Sequence, residues 1–303
     1  MSGDWIDAPI TIQTKDADLY VEQVGPQEAP VLYYLHGGPG YSAFSFRDLM
    51  GDELEGFRVV YADQRGGGRS YAGGPFTVDD LAGDVATTLD ALRLPAATLL
   101  AHGFGAIPAL RAARLHPERV ARVVLINPWF SMPLLARTLQ RRAAVLAGAP
   151  DEALPDEATL AAQGELPPDA LDPDALSERA YDLIAPKQLF DDLEFPLPTT
   201  RMRLEHVDAV AQFGPQRADA PEDVWHADAL ADLADLTVAP VALFGRQDGT
   251  SVPDQAEAGL GRRPDATTGL VDAGHYPWID DPDAFVPLLH EALGGAPAIV
   301  PSE

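Results

Sequence analysis

Over the first 125 residues, short apolar runs alternate with stretches that repeat apolar side chains every three or four positions. Val31 to Leu35, Phe57 to Tyr61, Ala97 to Ala101 and Arg122 to Ile126 read as strands. Between them, Thr77-Val78-Asp79-Asp80 opens a helix to about Leu92, with Val78, Leu81, Val85, Leu89 and Leu92 on one face. A second helix is expected from Phe104 to Leu115. Strands alternating with helices predict a mostly parallel sheet covered on both faces, an α/β fold. Ile10 to Thr14 and Leu19 to Val24 alternate residue by residue and predict an antiparallel edge.

The pattern changes near Pro128. Up to Leu236 there are many proline breaks between helical stretches and few strand-like runs. Strand patterns resume at Val241 to Phe244 and Gly269 to Val271, and a helix from about Pro282 to Leu293 closes the pattern. The expected organisation is a core of 1–128 and 238–303 with a helical cap inserted at 129–237. That insertion is also where the charge lies. Lys plus Arg number 21 against 47 Asp plus Glu, a net −26, and residues 151–240 alone hold 21 acidic and 5 basic side chains. Such a surface repels polyanions and anionic bilayers, so neither nucleic acid nor membrane is expected as a partner. The chain has no cysteine, which excludes disulfides, thiol nucleophiles and Cys-ligated metals. His116, His206, His226 and His290 lack metal-binding spacing, and neither metal nor cofactor is expected. With no leader-like N-terminus and no long apolar run, a cytoplasmic protein is the expectation.

Candidate chemistry sits where strands end. His36-Gly37-Gly38-Pro39-Gly40 follows one strand, and a Gly-rich turn there lets backbone N–H groups approach a ligand, as an oxyanion hole requires. Asp63-Gln64-Arg65-Gly66-Gly67-Gly68-Arg69-Ser70 follows another. It lacks the Lys-Ser/Thr pair of a phosphate loop and is read as an Asp–Arg brace. Ala101-His102-Gly103-Phe104-Gly105 lies between strand and helix, where a nucleophile elbow of the form G-x-S-x-G belongs. Its serine position holds Gly103, and no other register supplies a serine. Asp248, in Gly245-Arg246-Gln247-Asp248, and His275, in Gly274-His275, each follow a later strand, in the order nucleophile, acid, base.

The whole constellation resembles the α/β-hydrolase superfamily and, through His36-Gly37-Gly38-Pro39-Gly40 and Asp63-Gln64-Arg65-Gly66, its proline iminopeptidase-like branch. The resemblance implies serine-type hydrolysis of a small-molecule or short-peptide substrate, as an aminopeptidase, amidase or esterase. Asp248 and His275 would be its acid and base, and the N–H groups of Phe104 and of Gly38 or Gly37 its oxyanion donors. Arg203-Leu204-Glu205-His206 partly resembles the branch's E-N-H-Y-F segment, making Glu205 a candidate for gripping a substrate ammonium. Gly103 departs from the family. Three readings stay open: a serine hydrolase deprived of its nucleophile, and so inactive or strongly impaired; a ligand- or partner-binding relative; and a His–Asp dyad that works without a nucleophile.

Overall fold

The computed structural model describes residues 4–132, 135, 197–211, 217–218, 220–251, 260–261 and 263–294. The first hairpin is β1 (Trp5–Gln13) and β2 (Ala17–Pro26), paired antiparallel. There follow β3 (Val31–Leu35), α1 (Phe44–Met50), β4 (Arg58–Ala62), the short β5 (Gly67–Gly68) and β6 (Tyr71–Ala72), and α2 (Val78–Ala91). Next come β7 (Ala97–His102), α3 (Ala106–Leu115), β8 (Val120–Ile126), α4 (Pro198–Ala211), β9 (Arg217–Ala218) and α5 (Ala229–Ala234). The chain continues through β10 (Pro240–Gly245), β11 (Thr267–Val271), α6 (Pro277–Asp280) and α7 (Pro282–Ala292).

Nine of these strands form one sheet, ordered β1-β2-β4-β3-β7-β8-β10-β11 with β6 beside β2. From β4 to β11 every neighbouring pair is parallel. The C-terminal ends of β3, β7, β10 and β11 therefore open on one edge, where ligands bind in open α/β sheets.

Strand alternation divides the core into two layers. Tyr33, Leu35, Leu99, Ala101, Val123, Leu125, Ala242 and Phe244 face α2, α3 and α5. Leu32, Tyr34, Leu100, Val124, Ile126, Leu243 and Val271 face α1 and α7, where Phe46, Trp278, Phe285 and Leu289 fill the layer. Tyr34 stacks on Phe46 at 4.0 Å. The helix expected from Thr77 begins with a full capping box: the Thr77 hydroxyl accepts the Asp80 N–H, and the Asp80 carboxylate accepts the Thr77 N–H. Asp223 reaches across and accepts the Val78 N–H at 2.8 Å.

That reach shows how the chain after the insertion rejoins the core. Val224, Ala227, Ala229, Leu233 and Leu236 are buried in the layer with α2 and α3. Arg111 and Arg114 of α3 both pair with Asp232 of α5. Trp129 and Phe130, at the other boundary, are buried in the same layer. Both ends of the expected cap of 129–237 thus carry residues that pack with α2 and α3. Acidic, alanine-rich composition hides an apolar stripe as short as that of α5 from a sequence reading. Residues 136–196, the larger part of the expected cap, lie outside the described residues. Of the rest, α4 lies against α1 and α6 with Leu204 and Val207 buried, and β9 pairs with β5.

Candidate active site

The turn after β7 carries the first element of the site. Gly103 has φ +51, the left-handed region that glycine enters without penalty, and a tight turn through Gly105 then leads into α3. Gly105 is fixed by contact: a Cβ there would lie 2.4 Å from the Leu35 carbonyl oxygen and 2.7 Å from that of His36. The elbow is thus pressed against the end of β3, beside the glycine turn. An ideal Cβ on Gly103 would stand 3.1 Å from His275 Nε2, 3.4 Å from its Cε1 and 3.9 Å from Gly37 Cα. The three sequence segments that carry Gly37, Gly103 and His275 therefore meet at one point.

His275 and Asp248 are both buried, at 2% exposure each. Asp248 Oδ2 lies 2.8 Å from His275 Nδ1. Burial by itself would raise the Asp248 carboxyl, but the His275 charge and hydrogen bond, the Ser251 hydroxyl and the Thr250 N–H together hold it below its ordinary value. The carboxylate is accordingly ionised at neutral pH, accepts the Nδ1 proton and leaves Nε2 as the basic nitrogen facing Gly103.

Several residues that the sequence reading passed over complete this arrangement. Thr250 donates its N–H (2.8 Å) and hydroxyl (2.9 Å) to Asp248 Oδ1, with the same hydroxyl 3.0 Å from His275 Nδ1. Ser251 donates to Asp248 Oδ2 at 2.6 Å. The signal was present: an Asp followed by Thr and Ser at the second and third positions is the pattern of a side chain closing its own turn. Asn127, at φ +43 just past β8, accepts the Gly245 N–H at 2.7 Å and donates to the carbonyls of Gly274 and His275, each at 3.0 Å. One amide thereby ties together the strand ends that deliver acid and base. Trp129 donates its backbone N–H to the Gly103 carbonyl at 3.0 Å and stacks its ring on His275 at 5.7 Å.

The glycine turn is held from behind. His36 Nε2 accepts the Gln64 N–H at 2.8 Å, its Nδ1 donates to the Gly37 carbonyl, and the Gln64 amide donates to the His36 carbonyl. Burial pulls His36 below its ordinary pKa, consistent with a neutral ring that both accepts and donates. Gly38 has φ +137, and a Cβ there would fall 2.8 Å from the Gly40 nitrogen, so only glycine fits. The expected Asp–Arg brace is present. Asp63, buried, accepts the Ala43 N–H at 2.8 Å, the Arg69 N–H at 2.9 Å and the Arg69 guanidinium at 2.6 Å. Arg65 grips Asp84 of α2 through two nitrogens, at 2.9 and 2.7 Å. His102 donates from Nε2 to the His275 carbonyl at 2.9 Å. Burial, then the neighbouring His275 charge, push its pKa well below the ordinary histidine value, so it stays neutral.

Glu205 does not join the site. Its side chain is 64% exposed on α4 and pairs with Arg201 one turn away at 2.9 Å, an exposed i,i+4 contact of small energetic weight. Phe104 is buried directly after Gly103, where the resemblance expects an oxyanion donor. Among the described residues, no group of three or more His, Asp or Glu could hold a metal ion. No helix among them is long and apolar enough to cross a membrane.

Comparison with known proteins gives this geometry a context. A family model for the alpha/beta hydrolase fold matches residues 30–282. The solved structure of a proline iminopeptidase-related protein from Thermus thermophilus is 38% identical, with TM-score 0.78, covering 95% of this chain and 97% of that one. The proline iminopeptidase of Mycobacterium smegmatis, at 18% identity and TM-score 0.66 over 95% of this chain and 98% of its own, shares the fold. Among curated relatives, a protein named carbamate hydrolase RutD from Variovorax paradoxus (strain S110) is 39% identical over 114 residues, 37% of this chain and 42% of that relative. An esterase/perhydrolase of Acinetobacter calcoaceticus is 35% identical over 130 residues, 42% of this chain and 46% of its own. The matched stretch thus spans less than half the length of these curated relatives.

Proposed function

The chain belongs to the alpha/beta hydrolase fold family, and from that premise we propose that its site acts on the acyl carbon of a small ester, amide or aminoacyl substrate. In this reading Asp248 fixes the imidazole, and His275 is the acid–base group. The N–H groups of Phe104 and Gly38, with Gly37 lining the turn, hold the oxyanion. Gly103 stands at the nucleophile position, so the acyl-enzyme route is closed and the chain is inactive or strongly impaired by that route. Loss of a triad serine costs on the order of 10⁶-fold in turnover in a well-studied protease, roughly 8 kcal/mol of barrier. The observation that carries the reading is the convergence at Gly103: a Cβ there would lie 3.1 Å from Nε2 of a histidine whose Nδ1 is bonded to a buried carboxylate. The relative of 38% identity, described as proline iminopeptidase-related, supports an aminoacyl substrate. The esterase named among the curated relatives supports an ester.

Gly103→Ser tests the proposal. A serine adopts φ +51 at a cost of about 1–2 kcal/mol, and His275 must withdraw by a few tenths of an ångström. The variant is expected to react with a fluorophosphonate probe and to hydrolyse p-nitrophenyl esters or aminoacyl anilides, while the parent chain takes no label. A folded Gly103→Ser protein that is inert to probe and substrates removes the proposal and leaves a ligand-binding role.

A further inference from the structure

His275 leans closer over Gly103 than a serine methylene readily permits. A spacing of 3.1 Å from Nε2 to a Cβ is tighter than most real Cβ contacts. The rest of the catalytic frame is nonetheless kept. Asp248 is held by Thr250 and Ser251, His275 by Asp248 and by the tie through Asn127, and Gly103 keeps the left-handed turn of an elbow. Each of these groups is buried, and desolvation of so many polar atoms is costly unless their hydrogen bonds are made. A frame that orients a base this firmly, over a residue with no side chain, is organised for a nucleophile that the chain itself does not carry.

Resting on the acyl-site reading above, we propose that this chain hydrolyses activated acyl substrates by single displacement, with water as the nucleophile and His275 as its general base. Water attacks the carbonyl carbon as His275 Nε2 takes one of its protons, forming the C–O bond and an oxyanion. The N–H groups of Phe104 and Gly38 stabilise that oxyanion. On collapse the bond to the leaving group breaks, and the proton on Nε2 passes to the departing oxygen or nitrogen. The products are the carboxylic acid and the alcohol or amine, with no covalent intermediate and no group left on the protein. Asp248 keeps Nδ1–H in place throughout, as in the serine mechanism. Oxyanion stabilisation and binding alone sustain about 10³–10⁴-fold over water after loss of a triad residue, and a positioned base contributes about 10²–10⁴-fold.

The test uses the full-length protein and p-nitrophenyl acetate. The parent chain is expected to turn over slowly, with no burst of p-nitrophenol and no fluorophosphonate labelling. His275→Ala is expected to lower the rate at least ~100-fold, although six other histidines remain to supply any unspecific imidazole catalysis. Gly103→Ser is expected to restore a burst. A parent rate no greater than that of folded His275→Ala overturns the water mechanism. So does a burst, or an acyl group trapped on the parent by hydroxylamine, and these need no variant at all. If Gly103→Ser shows burst and label while the parent is no faster than His275→Ala, single displacement fails and the acyl-site reading survives. If both parent and Gly103→Ser are inert, the reading and the inference fall together.

Discussion

Asn127 offers the sharpest energetic test, because one side chain there bonds three backbone groups from two other segments. In Asn127→Ala the Gly245 N–H and the Gly274 carbonyl lose their Asn127 partner, while the His275 carbonyl keeps the His102 N–H at 2.9 Å. Two buried backbone groups left unsatisfied cost about 1–3 kcal/mol each. Alanine at φ +43 adds about 1–2 kcal/mol. The expected loss is therefore roughly 3–8 kcal/mol, large against the ~5–15 kcal/mol of a typical domain. Urea unfolding followed by tryptophan fluorescence reads it, as a shifted midpoint with an unchanged slope. Asn127→Gly separates the two terms: it removes the backbone strain and keeps the lost hydrogen bonds, so it should recover about 1–2 kcal/mol relative to alanine. In the Gly103→Ser background, Asn127→Gly should also lower esterase turnover, since the turns bearing Asp248 and His275 are no longer tied. An alanine variant within about 1 kcal/mol of the parent, or a glycine variant as stable as the parent, would refute the argument that this amide holds the two turns.

Gly105→Ala is expected to lose about 1–3 kcal/mol, because its Cβ would meet two backbone carbonyl oxygens that no rotamer change can move. The companion Gly83→Ala in α2, where nothing lies within 4 Å, is expected to gain about 0.5–1 kcal/mol. Equal urea midpoints for the two would contradict the packing account. His102 and His36 both have pKa values lowered in the folded state, so the unfolded chain binds more protons below the unfolded value near 6.5. Stability is expected to fall as pH drops below about 6.5, by up to ~1.4 kcal/mol per pH unit for each ring. His102→Gln, which can still donate to the His275 carbonyl, should flatten the slope measured by urea unfolding between pH 7.5 and 5. An unaltered slope would remove His102 from the acid response.

The sequence determined the parts of this protein whose causes are local. Short apolar runs in β3, β4, β7 and β8 announced a buried parallel sheet, because strands covered on both faces must be apolar nearly throughout. Thr77 and Asp80 announced the start of α2, because a cap is made by residues three apart. Gly103, Asp248 and His275 could be picked out because each follows a strand, and parallel strands bring their C-terminal ends to one edge. Only the tertiary structure decided the rest. That Asn127 and Trp129 serve the dyad depends on contacts between residues up to 148 positions apart, which no local pattern records, whereas Thr250 and Ser251 hold Asp248 through a turn whose signal lay in the sequence. That Glu205 faces solvent depends on which side of α4 packs on α1 and α6, and a helix that mixes two Arg, one Glu and one Asp with its apolar side chains leaves that choice to its neighbours. The short apolar stripe of α5 joined the core because it packs on α3, which also supplies two arginines for Asp232. The 3.1 Å approach of His275 to Gly103 is likewise a product of packing: a missing side chain is visible in the sequence, but where its neighbours settle depends on everything that holds them.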